Sequence, residues 1–205
     1  YALDVLTDEN ASAIIALGDS ITAQPWPDCL ARRLLSLGIT NRSVVRKGIS
    51  GNRLLREYET YRPRMHQGIA ALKRFEKDIL QSGADRVFML IGINDLLHPS
   101  DSWFAPMSDL PTASQMIDGY KTCIDIAHKH NMKIYISTIL PCGRFLNNDN
   151  LKGREEIRAE INDWIRTNSL TDGLIDFESA LWDENEHRTM KAVYDSGDLL
   201  HPSLA

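Results

Sequence analysis

Apolar residues fall along this chain in two rhythms. Short unbroken runs, AIIAL at Ala13–Leu17, RVFMLI at Arg86–Ile91 and KIYISTI at Lys133–Ile139, have the length and β-branched content of strands buried on both faces. Ser43–Arg46 and LIDF at Leu174–Phe177 read as shorter strands. Between these runs the apolar positions recur at helical spacing. Pro27–Leu37 has proline in its first turn and Gly38 past its end; Met65–Leu80 is closed by Ser82-Gly83; Thr112–His130 and Lys152–Asn168 follow. Strand and helix alternate. That order predicts a parallel sheet of about five strands, and right-handed crossovers make it a three-layer α/β/α sandwich.

Composition narrows the picture only slightly. At 205 residues the chain can bury one full-sized core, so residues 13–205 are expected to form one domain. Residues 1–12 read as a lead-in, the tail of something upstream. A net charge of −5 without acidic or basic blocks argues against a nucleic-acid or anionic-membrane surface, and no apolar run approaches the length of a bilayer. Cys29, Cys123 and Cys142 are odd in number and widely spaced, which fits neither a disulfide framework nor a zinc site. No signal-peptide pattern is visible, and the chain begins at Tyr1, so the compartment stays open.

The polar residues change the picture more. In parallel sheets, ligands bind beyond the carboxyl ends of the strands. Those ends carry Gly18-Asp19-Ser20, then Gly48-Ile49-Ser50-Gly51-Asn52, then Gly92-Ile93-Asn94-Asp95, then Thr138-Ile139-Leu140-Pro141. Past the last strand comes Asp195-Ser196-Gly197-Asp198-Leu199-Leu200-His201-Pro202. A serine hydroxyl needs a base, the base needs an acceptor for its second ring nitrogen, and a tetrahedral intermediate needs preorganised donors. Ser20, His201 and Asp198 are the candidates for nucleophile, base and acid. The backbone N–H groups of Ser20 and Gly51 and the side-chain amide of Asn94 are the candidates for an oxyanion hole.

GDSIT, GISGN, GIND and DLLH, in that order, resemble the SGNH hydrolase superfamily, also called GDSL-type esterases. Ser20, Gly51, Asn94 and His201 stand where the family has the four residues that name it. The resemblance spans about Ala13 to Pro202. It implies a flavodoxin-like fold, a metal-free and cofactor-free Ser–His–Asp mechanism, and hydrolysis of ester or thioester bonds. YDSGDLLHP also resembles a branch containing carbohydrate esterases.

Several residues compete for these roles. Asp125-Ile126-Ala127-His128 repeats the Asp-x-x-His spacing, but it lies inside a helix leading to the amino end of a strand, so His128 reads as a surface residue near a helix C-terminus. Asp195 is a rival for the acid role. Asp19 and Asp95 are expected to hydrogen-bond their own turns. His66, His98, His130 and His187 lack partners at metal spacing. Gly48-x-x-Gly51 is no P-loop, and the G-x-S-x-G elbow of α/β-hydrolases is absent.

Two loops are expected to shape the pocket: His98–Pro111 with Trp103, Phe104 and Met107, and Pro141–Asn150 with Arg144 and Phe145. Asn52, Trp103, Phe104, Arg144 and Phe145 are the candidate substrate contacts. Mixed aromatic and polar groups suit a sugar ring, and the absence of a long apolar lid favours a short acyl group, acetyl, on a carbohydrate or similar polar molecule. Longer acyl chains, and a non-catalytic glycan-binding relative, are the alternatives. The second arises because family members continue past His-Pro with a further helix, whereas HPSLA reaches Ala205 here, which leads us to expect His201 on a terminal tail prone to fraying.

Overall fold

The computed structural model describes residues 5–58, 67–80, 83–100, 105–146, 151 and 153–203. The elements run β1 (Ser12–Gly18), α1 (Ser20–Ala23), α2 (Trp26–Ser36), β2 (Arg42–Gly48), α3 (Ala71–Ile79), β3 (Ala84–Leu90), α4 (Ile93–Leu97), α5 (Ala113–Lys129), β4 (Lys133–Ser137), α6 (Gly143–Leu146), α7 (Arg154–Thr167), β5 (Gly173–Ile175) and α8 (Phe177–Leu181). The five strands form one parallel sheet in the order β2-β1-β3-β4-β5. The chain goes outward from β1 to β2, then reverses to β3 and continues the other way. Right-handed crossovers therefore place α2 on one face and α3, α5 and α7 on the other. The reversal leaves a crevice at the carboxyl ends of β1 and β3.

The core follows the strand period of two. Ile15, Leu17, Val87, Met89, Ile134 and Ile136 are fully buried and cluster with Phe75, Ile79, Tyr120, Cys123, Ile161 and Ile165 of α3, α5 and α7. On the alternate positions Phe88 and Tyr135 meet edge to face at 5.1 Å, and Trp26 of α2 meets Phe177 of α8 at 5.8 Å. Register then sets the site: Gly18 lies opposite Gly48 on β2 and Leu90 on β3, so three strands end level. A Cβ on Gly18 would lie 2.1 Å from the Leu90 carbonyl oxygen, so the close approach of these ends depends on glycine.

Some expected boundaries are corrected. β4 stops at Ser137 rather than Ile139, because Asn162 of α7 takes both the N–H and the carbonyl of Ile139 at 2.8 Å and draws the backbone out of the ladder. Phe177 is not the end of a strand: Asp176 accepts from Ser179 N–H at 3.1 Å, and that cap makes Phe177 the first residue of α8. The helix expected from Met65 begins at Ala71, after an irregular stretch over Gln67–Ala70; residues 59–66 lie outside the described residues. α5 starts as its sequence suggests, with Thr112 and Gln115 forming a reciprocal capping box.

Candidate active site

β1 ends at Gly18 and the chain turns at once into α1. Asp19 is the cap: its Oδ1 accepts the Ile21 N–H at 3.0 Å, which makes Ser20 the first helical residue and leaves its N–H without an intrahelical acceptor. The Ser20 hydroxyl lies 2.8 Å from His201 Nε2, and His201 Nδ1 lies 2.5 Å from Asp198 Oδ2. The other Asp198 oxygen accepts the backbone N–H groups of Leu200 at 3.0 Å and His201 at 2.8 Å. Burial works against ionisation of Asp198, but the N–H and ring of His201 outweigh it and hold the carboxyl at about 2. A hydroxyl on an imidazole that is itself fixed by an ionised carboxylate can lose its proton as it attacks an acyl carbon.

The loop that carries His201 is bonded back on itself. The His201 carbonyl accepts the Ser196 N–H at 3.0 Å, Ser203 N–H reaches Tyr194 O at 2.6 Å, and Asp195 and Pro202 form an antiparallel bridge. Asp195, the rival acid, is spent on this loop: its Oδ1 accepts the N–H groups of Gly197 at 2.8 Å and Leu199 at 3.0 Å. Leu199 sits at φ +64°, a left-handed conformation that costs a leucine about 1–2 kcal/mol and that the Asp195 contact helps to hold.

Gly51 has φ +73°, and a Cβ there would lie 2.4 Å from Gln67 Cγ, so both backbone and space call for glycine. Asn94 lies in the first turn of α4, is 3% exposed, and donates one amide hydrogen to Asn52 O at 3.0 Å. Its second amide hydrogen has no acceptor among the described residues. The level strand ends and the Asn94–Asn52 bond bring the Ser20, Gly51 and Asn94 segments to one rim.

Other expected residues fall differently. Asn52 is buried and faces inward. Its amide donates to Gln67 O and Ile69 O, and its Oδ1 accepts from Arg74, so its hydrogen-bonding capacity is used inside the protein. Asp95 reaches beyond its own turn: its oxygens accept the N–H groups of Leu54 at 2.7 Å and Leu55 at 3.0 Å, pinning the loop that carries Gly51. Burial raises Asp19 to about 7 and Asp95 to about 6. Arg144 is exposed on α6 beside Asp195 and Leu199, whereas Phe145 packs against the core. Trp103 and Phe104 lie outside the described residues. His128 is exposed and paired with Asp172 at 3.0 Å, far along the chain from the Ser20 rim. Cys29, Cys123 and Cys142 are free thiols.

Sequence reasoning missed Arg74, Tyr58 and the true partners of Asp95. Tyr58 donates to Gly51 O at 2.6 Å, contacts His98 Nδ1, and carries the Arg53 guanidinium 4.4 Å above its ring. Burial, with Arg53 nearby, lowers His98 to about 4 and keeps it neutral. The available signal was a charged residue within an apolar stripe: Arg74 stands between Ala71 and Phe75 on the buried face of α3.

A cavity of about 340 Å³ opens beside the rim, walled by Ile21, Trp26, Cys29, Leu140, Phe177 and Pro202. Ile21 and Pro202 directly follow Ser20 and His201.

A family model described as GDSL-like lipase/acylhydrolase matches residues 16–205. The chain belongs to that family. As a GDSL-like acylhydrolase it is a carboxylic ester hydrolase, and its sheet is shared by solved structures of low identity. A putative acylhydrolase from Bacteroides fragilis is 17% identical, with 96% of this chain and 81% of that one covered at a TM-score of 0.64. The acetyl xylan esterase AlAXEase is 19% identical over 93% and 91% of the two chains, at 0.65. A carbohydrate acetylesterase from Sinorhizobium meliloti is 14% identical over 94% and 91%, at 0.61. No curated protein matches this GDSL-like hydrolase. Among the described residues no helix is long and apolar enough to cross a membrane.

Proposed function

We propose that the protein removes short acyl groups, acetyl above all, from a carbohydrate or similar polar substrate through an acyl-enzyme on Ser20. The observation that carries the mechanism is the unbroken chain Ser20–His201–Asp198 at 2.8 and 2.5 Å. His201 Nε2 takes the Ser20 proton as Oγ attacks the acyl carbon, and Asp198 holds the ring and stabilises the imidazolium. The oxyanion is received by the Ser20 and Gly51 N–H groups and the Asn94 amide. His201 returns its proton to the departing alcohol, then draws one from water for the second half-reaction. The polar substrate is supported by the acetyl xylan and carbohydrate acetylesterases among the structural neighbours, and by Arg144 beside the Asp198 loop.

The apolar cavity favours a second reading. At about 340 Å³ it falls within the ~300–1,000 Å³ span of small-ligand pockets and suits a longer acyl chain. Hydrolysis of p-nitrophenyl esters from acetyl to long chains, with Ser20→Ala alongside, separates the two. Activity concentrated on acetyl and lost in the variant supports the first reading. A rate rising with chain length supports the second, and turnover that survives Ser20→Ala refutes both.

A further inference from the structure

Arg74 is 5% exposed, and its guanidinium reaches four partners around the rim. Nε and Nη2 donate to Asn52 Oδ1 at 3.1 and 3.0 Å, and Nη2 also donates to Gly18 O at 3.0 Å. Nη1 donates to Lys47 O at 3.1 Å and pairs with Asp78 one turn along α3 at 2.5 Å. Gly18 is the last residue of β1 and Lys47 the last but one of β2, the strands that deliver Ser20 and Gly51. Asn52 directly follows Gly51, and its carbonyl holds the Asn94 amide. One buried fork therefore holds the backbone behind Ser20 and Gly51, and the residue whose carboxamide it grips meets the Asn94 amide through its own backbone carbonyl. A planar guanidinium spans several carbonyls at once, which an ammonium cannot do.

We infer that Arg74 and Asn52 are positioning residues that set the spacing of the oxyanion hole, an inference resting on the acyl-enzyme reading above. Neither touches the substrate. Arg74 ties the ends of β1 and β2 to Asn52 Oδ1, and Asn52 passes that constraint on in two directions. Its backbone carbonyl orients Asn94, and its amide anchors the Gln67–Ile69 stretch that packs against Gly51. Loss of the fork leaves the Ser20–His201–Asp198 chain intact and lets the donors drift, and a drift on the order of 1 Å at a reacting centre costs about 100-fold in rate.

The test is Arg74→Lys, which keeps the charge and loses the fork, and Asn52→Asp, which keeps the acceptor for Arg74 and loses both donors. Kinetics on p-nitrophenyl acetate are referred to active sites counted by phosphonate titration, so misfolded protein is excluded. The expected result is a fall in kcat of about 10- to 100-fold with KM nearly unchanged, and an acid limb of the pH profile that does not move, because His201 and Asp198 are untouched. A trifluoromethyl ketone, whose tetrahedral adduct places an oxyanion in the hole, should weaken in proportion to the loss in kcat. If Arg74→Lys yields no titratable sites, Asn52→Asp decides alone. Wild-type kcat per titrated site in the folded variants would overturn the inference while leaving the acyl-enzyme reading standing. A wild-type protein without Ser20-dependent turnover would remove both.

Discussion

Replacing Asn94 by alanine tests the oxyanion hole at the donor whose surroundings are best defined. Asn94 Nδ2 gives one hydrogen to Asn52 O at 3.0 Å, so the carboxamide is held before substrate arrives. Loss of one such donor costs about 3–4 kcal/mol of transition-state stabilisation, which is roughly 10²- to 10³-fold in kcat. The Asn52 carbonyl also loses its partner beside a side chain only 3% exposed, and a buried group left unpaired costs about 1–3 kcal/mol of stability. The two effects separate. Thermal unfolding reports the second, and kcat per phosphonate-titrated site reports the first. KM should move little, because the ground-state carbonyl gains less from the donor than the developing oxyanion. Asn94→Asp should be no better than Asn94→Ala, since it offers an acceptor where a donor is required. Asn94→Ala with kcat within about threefold of wild type, on fully titrated protein, would refute the assignment.

Other residues make separate predictions. Asp198→Asn keeps the acceptor for the Leu200 and His201 N–H groups but no longer stabilises the imidazolium; kcat should fall by about 10² or more, less than for a fully buried acid because the Asp198 side chain is half exposed. Asp19 stands at about 7 and Asp95 at about 6, both above the ordinary range, so the folded state binds more protons than the unfolded state between about pH 4 and those values and stability falls as pH rises through them. Asp19→Asn keeps the cap on Ile21 and should flatten the fall in Tm measured between about pH 5 and 8; an unchanged slope would count against a buried charge at Asp19. Arg158→Met leaves Glu155 buried without the cation that reaches it at 2.5 Å, while Glu178 keeps Arg166, and denaturant unfolding should show a loss of about 3–5 kcal/mol.

Much of this molecule could be read from residue order, and the reasons are local. β1 and β3 are continuous apolar runs ended by glycine-containing turns, and the α5 boundary is written in Thr112 and Gln115. Ser20, Gly51, Asn94, Asp198 and His201 could be singled out as candidates because each follows a strand end or lies in one short loop. The errors came where a distant side chain overrode local preference. Asn162 pulls Ile139 out of β4, and Asp95 bonds Leu54 and Leu55 from about 40 positions away in sequence. Asn52 looked like a polar residue at the rim, and only the fold shows it turned inward onto Arg74, Gln67 and Ile69. Arg74 was hidden because helical spacing marks a face as buried without saying which carbonyls wait beneath it.

The central claim is that Ser20 is the nucleophile and that His201 activates it. A fluorophosphonate ester captures such a serine as a stable tetrahedral adduct, which intact-mass measurement counts and peptide mapping locates. The account predicts one adduct per chain, on Ser20, formed at a rate that collapses in His201→Ala while Tm holds. An adduct on another residue, or esterase activity persisting in protein whose Ser20 is fully modified, would contradict it.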